Sequence, residues 1–394
     1  MSLYANYVQK RSIQNKEYLF KNLNIYLKME LPDKLDTFMK RDRNINYITK
    51  SVFKYEEYKN GKYSSDASWF DIKSYWIPKD DIDYFFINTE LKDIFIQDEK
   101  FLFLVHPESE KFYTEFTENK EPGKIFKGLA TSSQRTVLTF VGNIYFFVKL
   151  SLDLFIGGTN RNIGKKEIVR SIGTTKFLRN IKTPNMFEYF PEVISAIPKN
   201  FERGGMIVRE IPDFMYKYDI FPIFSVFTKN ENGIYILKYD YLKWIDNLIY
   251  LFIKQYLELC SMGITTQSHS QNLLLALDGD KILFFIYRDF GGFSIDLKYI
   301  EKKYGKIELP YITGLDNDYM QKSHLIRLRR CISDYFRDGM LYSLCESLNV
   351  PFNEKEQKIK IYMRYILLTV YKLRIGEIDE NYEIMNYIHK KIRK

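Results

Sequence analysis

Two short segments of the sequence carry residue types that suit a polyphosphate and its metal ion. The first is 131–136 (TSSQRT), and the second joins 269–272 (HSQN) to 288–292 (RDFGG). Hydroxyl and guanidinium groups donate hydrogen bonds to phosphate oxygens. Asparagine and aspartate supply the oxygen ligands that Mg²⁺ prefers. A chain that carries both segments is therefore predicted to be an ATP-using enzyme rather than a binding module.

The second segment is interrupted by a predicted β-hairpin. The apolar runs 273–277 and 282–287 flank Asp278-Gly279, which is a strong hairpin signal. The hairpin brings its two ends together, so Asn272 and Asp289 are predicted to converge at one edge as Mg²⁺ ligands. Kinase-like enzymes place an Asn and an Asp in this way. The alternative is that the aspartate caps a turn and the asparagine merely starts a strand.

The first segment begins another predicted hairpin. Its strands are 136–141 and 144–156, joined by a Gly-Asn turn. Alternation along the second strand predicts that Lys149 lies on the polar face. One hairpin is thus predicted to present Arg135, Lys149 and Arg161 to a single anion. Taken alone, 131–136 is equally typical of a turn followed by an exposed strand edge.

The remaining patterns indicate a mixed α+β chain with a helical C-terminal third. The run 101–105 is a predicted strand that ends at His106. Further predicted elements are a helix at 17–30, strands within 44–63, a helix at 165–180, a hairpin of 220–228 with 233–239, a central helix at 241–262, and helices at 320–348, 354–375 and 381–394.

The composition and charge of the chain favour small anionic substrates over a nucleic-acid partner. The 394 residues are 45% hydrophobic, which predicts two or three subdomains. The net charge of +9 is spread along the chain and suits small anionic substrates. Its dense basic run is confined to 389–394, and no nucleic-acid module is recognisable, so no nucleic-acid partner is predicted.

Cysteine usage and hydropathy indicate a cytoplasmic protein. The three cysteines show no CxxC spacing, which argues against a disulfide scaffold or a zinc site. The first residues, 1–17, lack an apolar signal region. The apolar stretch 244–263 contains charged residues, so it is predicted to be a core helix rather than a membrane span.

The order and local spacing of these motifs resemble those of the aerobactin-synthetase-like NRPS-independent siderophore (NIS) synthetases. The resemblance rests on 131–136, on 149–152 (KLSL), on 159–161 (TNR), and on 269–272 with 288–292. His106-Pro107 is similar to a compressed form of that family's His-Pro segment. The matching region covers roughly 100–300 of this short chain.

The resemblance implies an ATP-dependent ligase. Such an enzyme adenylates a carboxylate, commonly of citrate or a related polycarboxylic acid, and an amine or alcohol then attacks the acyl adenylate. The implied α+β fold is a cupped hand with fingers, a thumb and a kinase-like palm. On this chain 1–100 would be a reduced thumb-like region, 101–235 the β-rich fingers-like region that binds nucleotide, and 236–394 the palm-like region with its helical end. The resemblance is also compatible with a homodimer.

The resemblance also implies roles for individual residues. Arg161 would lie between the α-phosphate and the carboxylate, His269 would contact the reacting group, and Arg135 would share the catalytic role. The polycarboxylate would meet His106, Thr159 and Arg161. The nucleotide and its Mg²⁺ would be bound by Ser132 or Ser133, Arg135, Thr136, Lys149, Gln271, Asn272 and Asp289, with Asn272 and Asp289 as the metal ligands.

Departures from the family pattern keep two other functions open. Gln267 stands where the family usually has Glu, and the lysine that follows its His-Pro segment is displaced to Lys111. A kinase-like phosphotransferase would also use Asn272 and Asp289, although no kinase-type Gly-rich loop is recognisable near the N-terminus. A non-catalytic relative that binds nucleotide or carboxylate is the other alternative, and Gln267 is the residue that favours it.

Overall fold

The computed structural model describes residues 31–43, 69–133, 135–156, 159–226, 240–266, 268, 271–290, 293–295, 300–301, 341–342, 345 and 351–355. The predicted elements at 17–30, 44–63 and 233–239 lie outside the described residues, as does most of the predicted helical part after 319. Within the described part the chain is a mixed α and β structure with a curled antiparallel sheet.

Among the described residues, ten strands form the larger sheet, in the order β2-β12-β13-β8-β7-β6-β1-β4-β3, with β5 paired to β1. Its strands are β1 (Phe70–Pro78), β2 (Ile82–Phe86), β3 (Ile96–Gln97), β4 (Lys100–Val105), β5 (Glu121–Pro122), β6 (Phe126–Ala130), β7 (Thr136–Val141), β8 (Ile144–Leu150), β12 (Glu192–Pro198) and β13 (Met206–Glu210). All of these strand pairs are antiparallel.

The predicted hairpin that carries Lys149 is confirmed, but its second strand is shorter than predicted. β7 pairs with β8 across a turn in which Gly142 adopts a φ of 59°, a conformation that glycine tolerates. The prediction of one strand over 144–156 is wrong, because the chain leaves the sheet at Ser151. The Ser151 hydroxyl donates to the Gly205 carbonyl and accepts from the Ile163 amide. These bonds redirect β9 (Leu152–Ile156) to pair with β10 (Thr159–Arg161).

A smaller sheet of four described strands has the order β11-β17-β16-β14. Its strands are β11 (Phe187–Tyr189), β14 (Asp219–Pro222), β16 (Leu273–Asp278) and β17 (Lys281–Tyr287), and a separate short pair joins β15 (Ile264–Thr265) to β18 (Ser294–Ile295). The predicted β16–β17 hairpin is confirmed, with Gly279 at a φ of 58°. β14 is shorter than the predicted 220–228, because a 3₁₀ turn over Ile223–Ser225 follows Pro222.

The helices cover these sheets. The described helices are α1 (Asp33–Arg43), α2 (Lys92–Phe95), α3 (Thr114–Thr117), α4 (Lys165–Asn180), α5 (Phe214–Lys217) and α6 (Tyr241–Ser261). Helix α4 has the predicted bounds and packs on β12 of the larger sheet. The apolar side of α6 packs on the smaller sheet, and Gly263 beyond its end adopts a φ of 77°. None of the helices described is long and apolar enough to cross a membrane.

Helix α1 joins the two sheets. Leu35, Phe38 and Met39 are almost completely buried and recur at the spacing of one helical face. They share a core with Phe147 of β8, in the larger sheet, and with Ile286 of β17, in the smaller sheet. The hydrophobic side of this one helix therefore packs in a core that includes residues of both sheets.

Candidate functional site

A polar pocket lies where the two predicted segments meet. The side chains that line it come from the 131–136 segment, from β10 and β13, and from both ends of the β16–β17 hairpin. They are Thr131, Ser133, Arg135, Thr136, Arg161, Arg209, Gln271, Asn272, Arg288 and Asp289. The lining described here includes four arginines, so the pocket suits a multiply charged anion.

The β16–β17 hairpin brings Asn272 and Asp289 to one edge, as the sequence predicts. Leu273 pairs with Tyr287, and the amide of Arg288 donates to the carbonyl of Asn272 at 3.1 Å. Asp289 follows immediately with a φ of 77°. This left-handed conformation is uncommon for residues other than glycine and is least costly for Asn and Asp. At Asp289 the chain therefore turns away from the direction of β17, at a position that lines the pocket.

Lys149 forms the centre of a buried charge cluster. Its ammonium lies 2.9 Å from both carboxylate oxygens of Asp289 and 2.6 Å from Oε1 of Glu167 on α4. The side chain is only 2% exposed. Lys149 therefore lies among polar partners as alternation predicts, but inside the protein rather than on a solvent-facing side of the sheet.

Arg209 extends the cluster on the other side of Asp289. Its Nε and Nη2 both donate to Oε1 of Glu192, at 2.9 Å and 2.7 Å. Arg209 Nη2 also lies 3.7 Å from Oδ1 of Asp289. The sequence analysis missed Arg209 and Glu192. The available signal was that each of these charged residues lies in a strand, β12 or β13, that is mostly apolar and mostly buried.

These contacts keep the carboxylate of Asp289 ionised. Burial alone would raise the pKa of Asp289, but the charges of Lys149, Arg209 and Arg135 outweigh it and hold the pKa well below its usual range. The pKa of Glu167 is lowered in the same way, with burial opposed by Lys149 and Arg135. The pocket therefore contains fixed negative as well as fixed positive charge at neutral pH.

Arg135 and Arg161 lie side by side at the pocket. Arg135 Nη1 donates to the carbonyl of Arg161 at 2.8 Å, and its Nη2 lies 4.0 Å from Oε1 of Glu167. Burial lowers the pKa of Arg161, and the neighbouring charge of Arg135 lowers it further. Two adjacent guanidinium groups repel one another, and an anion between them would relieve that repulsion.

The 131–136 segment forms a compact turn. The amide of Thr131 donates to the carbonyl of Thr136 at 2.9 Å, and the hydroxyl of Ser133 accepts from the amide of Thr136 at 3.1 Å. Ser133 and Thr136 line the pocket. Ser132 is directed elsewhere, because its hydroxyl and its amide both bond to the carboxylate of Asp42 on α1. Asp42, like Arg209 and Glu192, was not predicted from the sequence as a residue of the site.

Three other predicted site residues are not among the described residues that line this pocket. His106 is 1% exposed at the end of β4, where its Nδ1 accepts from the amide of Glu108 and its ring packs against Phe70. Burial lowers the pKa of His106 to about 3, so the imidazole is neutral. Thr159 lies in β10 beside Arg161. His269 lies outside the described residues. Their predicted roles stay predictions.

The donor set fits a magnesium ion that is carried by phosphates. No group of three or more acidic, histidine or cysteine side chains suited to a metal occurs among the described residues. Asp289 and Asn272 line the same pocket and offer one carboxylate and one carboxamide oxygen. Mg²⁺ is typically held by one or two carboxylates together with water and substrate phosphates. A carboxylate accepts at about four lone-pair positions, so the contacts to Lys149 do not by themselves preclude a metal.

Comparison with known proteins gives structural relatives. No family model matches the sequence, and no curated protein matches it. The petrobactin biosynthesis protein AsbB from Bacillus anthracis str. Sterne superposes with a TM-score of 0.62 at 14% identity, over 91% of this chain and 72% of that chain. The aerobactin synthetase IucC from a hypervirulent pathotype of Klebsiella pneumoniae gives 0.56 at 13% identity, over 86% of this chain and 68% of that chain. The resemblance predicted from the motifs is thus confirmed at the level of the fold, and the chain has the fold of the NIS synthetases.

Proposed function

We propose that the protein is an ATP-dependent ligase that adenylates a carboxylate and then joins it to an amine or an alcohol. The observation that carries this proposal is the pocket in which Arg135, Arg161, Arg209 and Arg288 surround the ionised Asp289. Cationic donors beside one fixed carboxylate suit a polyphosphate that brings its own metal ion. The NIS synthetase fold supports the same class of reaction, with citrate or a related polycarboxylic acid as the substrate.

The proposed reaction has two steps. A carboxylate oxygen attacks the α-phosphorus of ATP, the bond from that phosphorus to the bridging oxygen breaks, and pyrophosphate leaves with the electron pair. The nitrogen of an amine, or the oxygen of an alcohol, then attacks the acyl carbon, AMP leaves, and the nucleophile loses its proton. Negative charge builds on the α-phosphate in the first step, and fixed cations stabilise the transition state more than the ground state.

The pocket residues can be given proposed roles on this basis. The hydroxyls of Ser133 and Thr136 and the guanidinium of Arg135 would bind phosphate oxygens. Arg161 would hold the α-phosphate beside the carboxylate. Asn272 and Asp289 would hold Mg²⁺, which when bound neutralises phosphate charge.

The ammonium of Lys149 is already fully engaged by carboxylates. An ammonium group has three N–H donors, and Lys149 already contacts three carboxylate oxygens, one of Glu167 and both of Asp289. A direct phosphate contact, as the sequence predicts, would require Lys149 to exchange one of these partners for a phosphate oxygen. In the structure described here, Lys149 is well placed to orient Asp289.

A kinase-like phosphotransferase is the second candidate, and one specific observation favours it. Lys149 on a strand pairs with Glu167 on a helix at 2.6 Å and with Asp289 at 2.9 Å. Protein kinases require a strand lysine that pairs with a helix glutamate, together with the aspartate of an Asp-Phe-Gly segment. Such an enzyme would transfer the γ-phosphate and release ADP, so its products differ from those of the ligase.

The test is a product analysis with ATP and Mg²⁺. The protein is incubated with citrate, 2-oxoglutarate, succinate or amino acids, with hydroxylamine as a surrogate nucleophile, and pyrophosphate, AMP, ADP and hydroxamate are measured. Carboxylate-dependent AMP, pyrophosphate and hydroxamate would support the ligase. Formation of ADP without AMP would rule out the ligase and support the phosphotransferase. Nucleotide binding with neither product would favour a non-catalytic relative.

A further inference from the structure

Asp42 connects the polyphosphate pocket to helix α1. Its carboxylate is fully buried in the last turn of that helix. Oδ2 accepts from the amide of Ser132 at 3.0 Å, and Oδ1 accepts from the hydroxyl of Ser132 at 3.1 Å and from Nη2 of Arg288 at 2.7 Å. The carboxylate therefore contacts the 131–136 segment and the end of β17 at the same time.

The position of Asp42 is unfavourable for the helix itself. Leu35, Phe38 and Met39 define the buried face of α1, and Asp42 occupies the next position on that face, where an apolar residue is expected. A carboxylate in the last turn also lies at the negative end of the helix dipole. Burial of a charge is costly unless the charge is hydrogen-bonded. The groups that stabilise the Asp42 carboxylate are those of the site.

The contacts of Asp42 span both sheets. Ser132 lies between β6 and β7 of the larger sheet, and Arg288 follows β17 of the smaller sheet. Arg288 Nη2 also donates to the Ser132 hydroxyl at 3.0 Å, and its Nε donates to the carbonyl of Gln271 at 2.7 Å. The two halves of the pocket wall thus meet at one carboxylate, and Ser133 follows Ser132 directly in the chain.

We propose that Asp42 is a positioning residue for the polyphosphate pocket. It fixes the 131–136 segment against Arg288, so that Ser133 and Arg288 face the same anion, and it does so without contacting that anion. This inference rests on the proposed function, because it assigns the pocket a phosphate ligand. It also distinguishes the two serines: the hydroxyl of Ser132 is held between Asp42 and Arg288, and Ser133 is the serine that faces the ligand.

The test compares Asp42→Asn with Asp36→Asn. The first variant keeps the side-chain size, removes the charge, and replaces one acceptor oxygen with an NH₂ donor. Asp36 is on the same helix but pairs with Lys40 at a partly exposed position, so its variant controls for charge loss from α1. Hydrogen exchange needs no ligand and is measured first. We expect the amide of Ser132 to exchange at least about tenfold faster in Asp42→Asn, with α4 unchanged. Unchanged exchange at Ser132 would overturn the proposal.

Binding of ATP and of inorganic pyrophosphate is measured next by calorimetry on the same variants. We expect the Kd for both to rise at least roughly tenfold in Asp42→Asn and to stay near the wild-type value in Asp36→Asn. In turnover assays the KM for ATP should rise, while the KM for the carboxylate should change little. Faster exchange with wild-type affinity for both anions would refute positioning while leaving the proposed function intact.

The role of Asp42 can be tested even if the protein does not consume ATP or if Asp42→Asn does not fold. If the wild-type protein binds pyrophosphate but does not consume ATP, the ligase proposal fails and pyrophosphate affinity still decides the role of Asp42. If Asp42→Asn does not fold, Ser132→Ala replaces it, since that variant removes the hydroxyl between Asp42 and Arg288. Ser132→Ala should then weaken pyrophosphate binding, and unaltered binding in that variant would overturn the inference.

Discussion

The ammonium of Lys149 lies 2.9 Å from each carboxylate oxygen of Asp289, although the two residues are 140 positions apart in the sequence. This ion pair joins β8 of the larger sheet to the end of β17 in the smaller sheet. Arg209 approaches the same carboxylate, and Glu167 approaches the same ammonium. Charges of alternating sign therefore run through the centre of the site, and changing one of them alters the balance at its neighbours.

Replacing Asp289 with Asn should impair both metal use and stability. The Mg²⁺ concentration for half-maximal activity should rise, because a charged oxygen ligand is lost. The free energy of unfolding should fall as well, because the buried cations Lys149 and Arg209 lose a shared carboxylate partner. Removing one member of a buried pair typically costs about 3–5 kcal/mol, and the remaining Glu167 and Glu192 should reduce that cost here. A Mg²⁺ titration and urea unfolding measure the two effects.

Asp278→Asn is the matched control for that experiment. Asp278 is exposed at the end of β16, where it pairs with Lys281 next to the turn of the same hairpin, and it is not one of the described residues that line the pocket. The control should therefore match the wild type in Mg²⁺ dependence and in stability. If Asp289→Asn gave the same Mg²⁺ dependence as Asp278→Asn, the metal site would have to be sought away from the β16–β17 hairpin.

Replacing Gln267 with Glu should lower the Mg²⁺ concentration needed for half-maximal activity. Gln267 lies outside the described residues, so the prediction rests on the family pattern, which usually has Glu two residues before the histidine of 269–272. A carboxylate added near oxygen ligands strengthens the binding of a hard cation. The Mg²⁺ titration used for Asp289→Asn measures the effect. An unchanged or weakened Mg²⁺ dependence would show that position 267 does not contribute to the metal site of this protein.

Arg135→Ala and Arg161→Ala should each reduce turnover by about a hundredfold or more, since a charge-assisted contact to a transition state typically supplies ~2.7–4 kcal/mol. Their effects should not be additive, because Arg135 also holds the carbonyl of Arg161 at 2.8 Å. Steady-state kinetics of the single and double variants measure the coupling. Arg179→Ala is the control, since Arg179 pairs with Glu210 and is not one of the described residues that line the pocket. Turnover equal to that of Arg179→Ala would remove the tested arginine from the site.

The sequence was sufficient to predict the elements that depend on local turn chemistry. The Gly142 and Gly279 turns each specify a hairpin, and each hairpin brings its ends together, which is why Asn272 and Asp289 could be placed at one edge. The break at Ser151 could not be predicted, because the alternating pattern continues through it. The break depends on hydrogen bonds to Gly205 and Ile163, which are close only in the folded chain.

The charged residues that complete the site show a second limit of sequence reasoning. Arg209 and Glu192 belong to strands that are mostly apolar, and Asp42 belongs to the buried face of a helix. A charge in such a pattern indicates a buried partner but does not identify it. Glu192 and Arg209 are paired residues of the neighbouring strands β12 and β13, but the approach of Arg209 to Asp289 and of Asp42 to Arg288 depends on the packing of segments that are distant in the sequence. Local periodicity therefore predicted the backbone of the site better than its electrostatics.

His106→Asn should flatten the dependence of stability on pH. Burial lowers the pKa of His106 from 6.5 to about 3. Between these two values the unfolded chain takes up a proton that the folded chain cannot, so this residue makes the free energy of unfolding fall as the pH falls through that window. The slope is at most about 1.4 kcal/mol per pH unit. The side-chain oxygen of Asn can accept the hydrogen bond that the amide of Glu108 now donates to Nδ1 of His106. The turn after β4 should therefore be preserved.

The measurement is urea unfolding of the wild type and of His106→Asn from about pH 7 to about pH 4. Other groups contribute equally to the slope in each protein, so the difference between the curves isolates His106. The variant should lose less stability than the wild type on acidification. Parallel curves for the wild type and His106→Asn would mean that the folded protein protonates His106 readily. The imidazole would then have access to solvent or to an acidic ligand, which would favour the predicted carboxylate contact over a purely structural role at the end of β4.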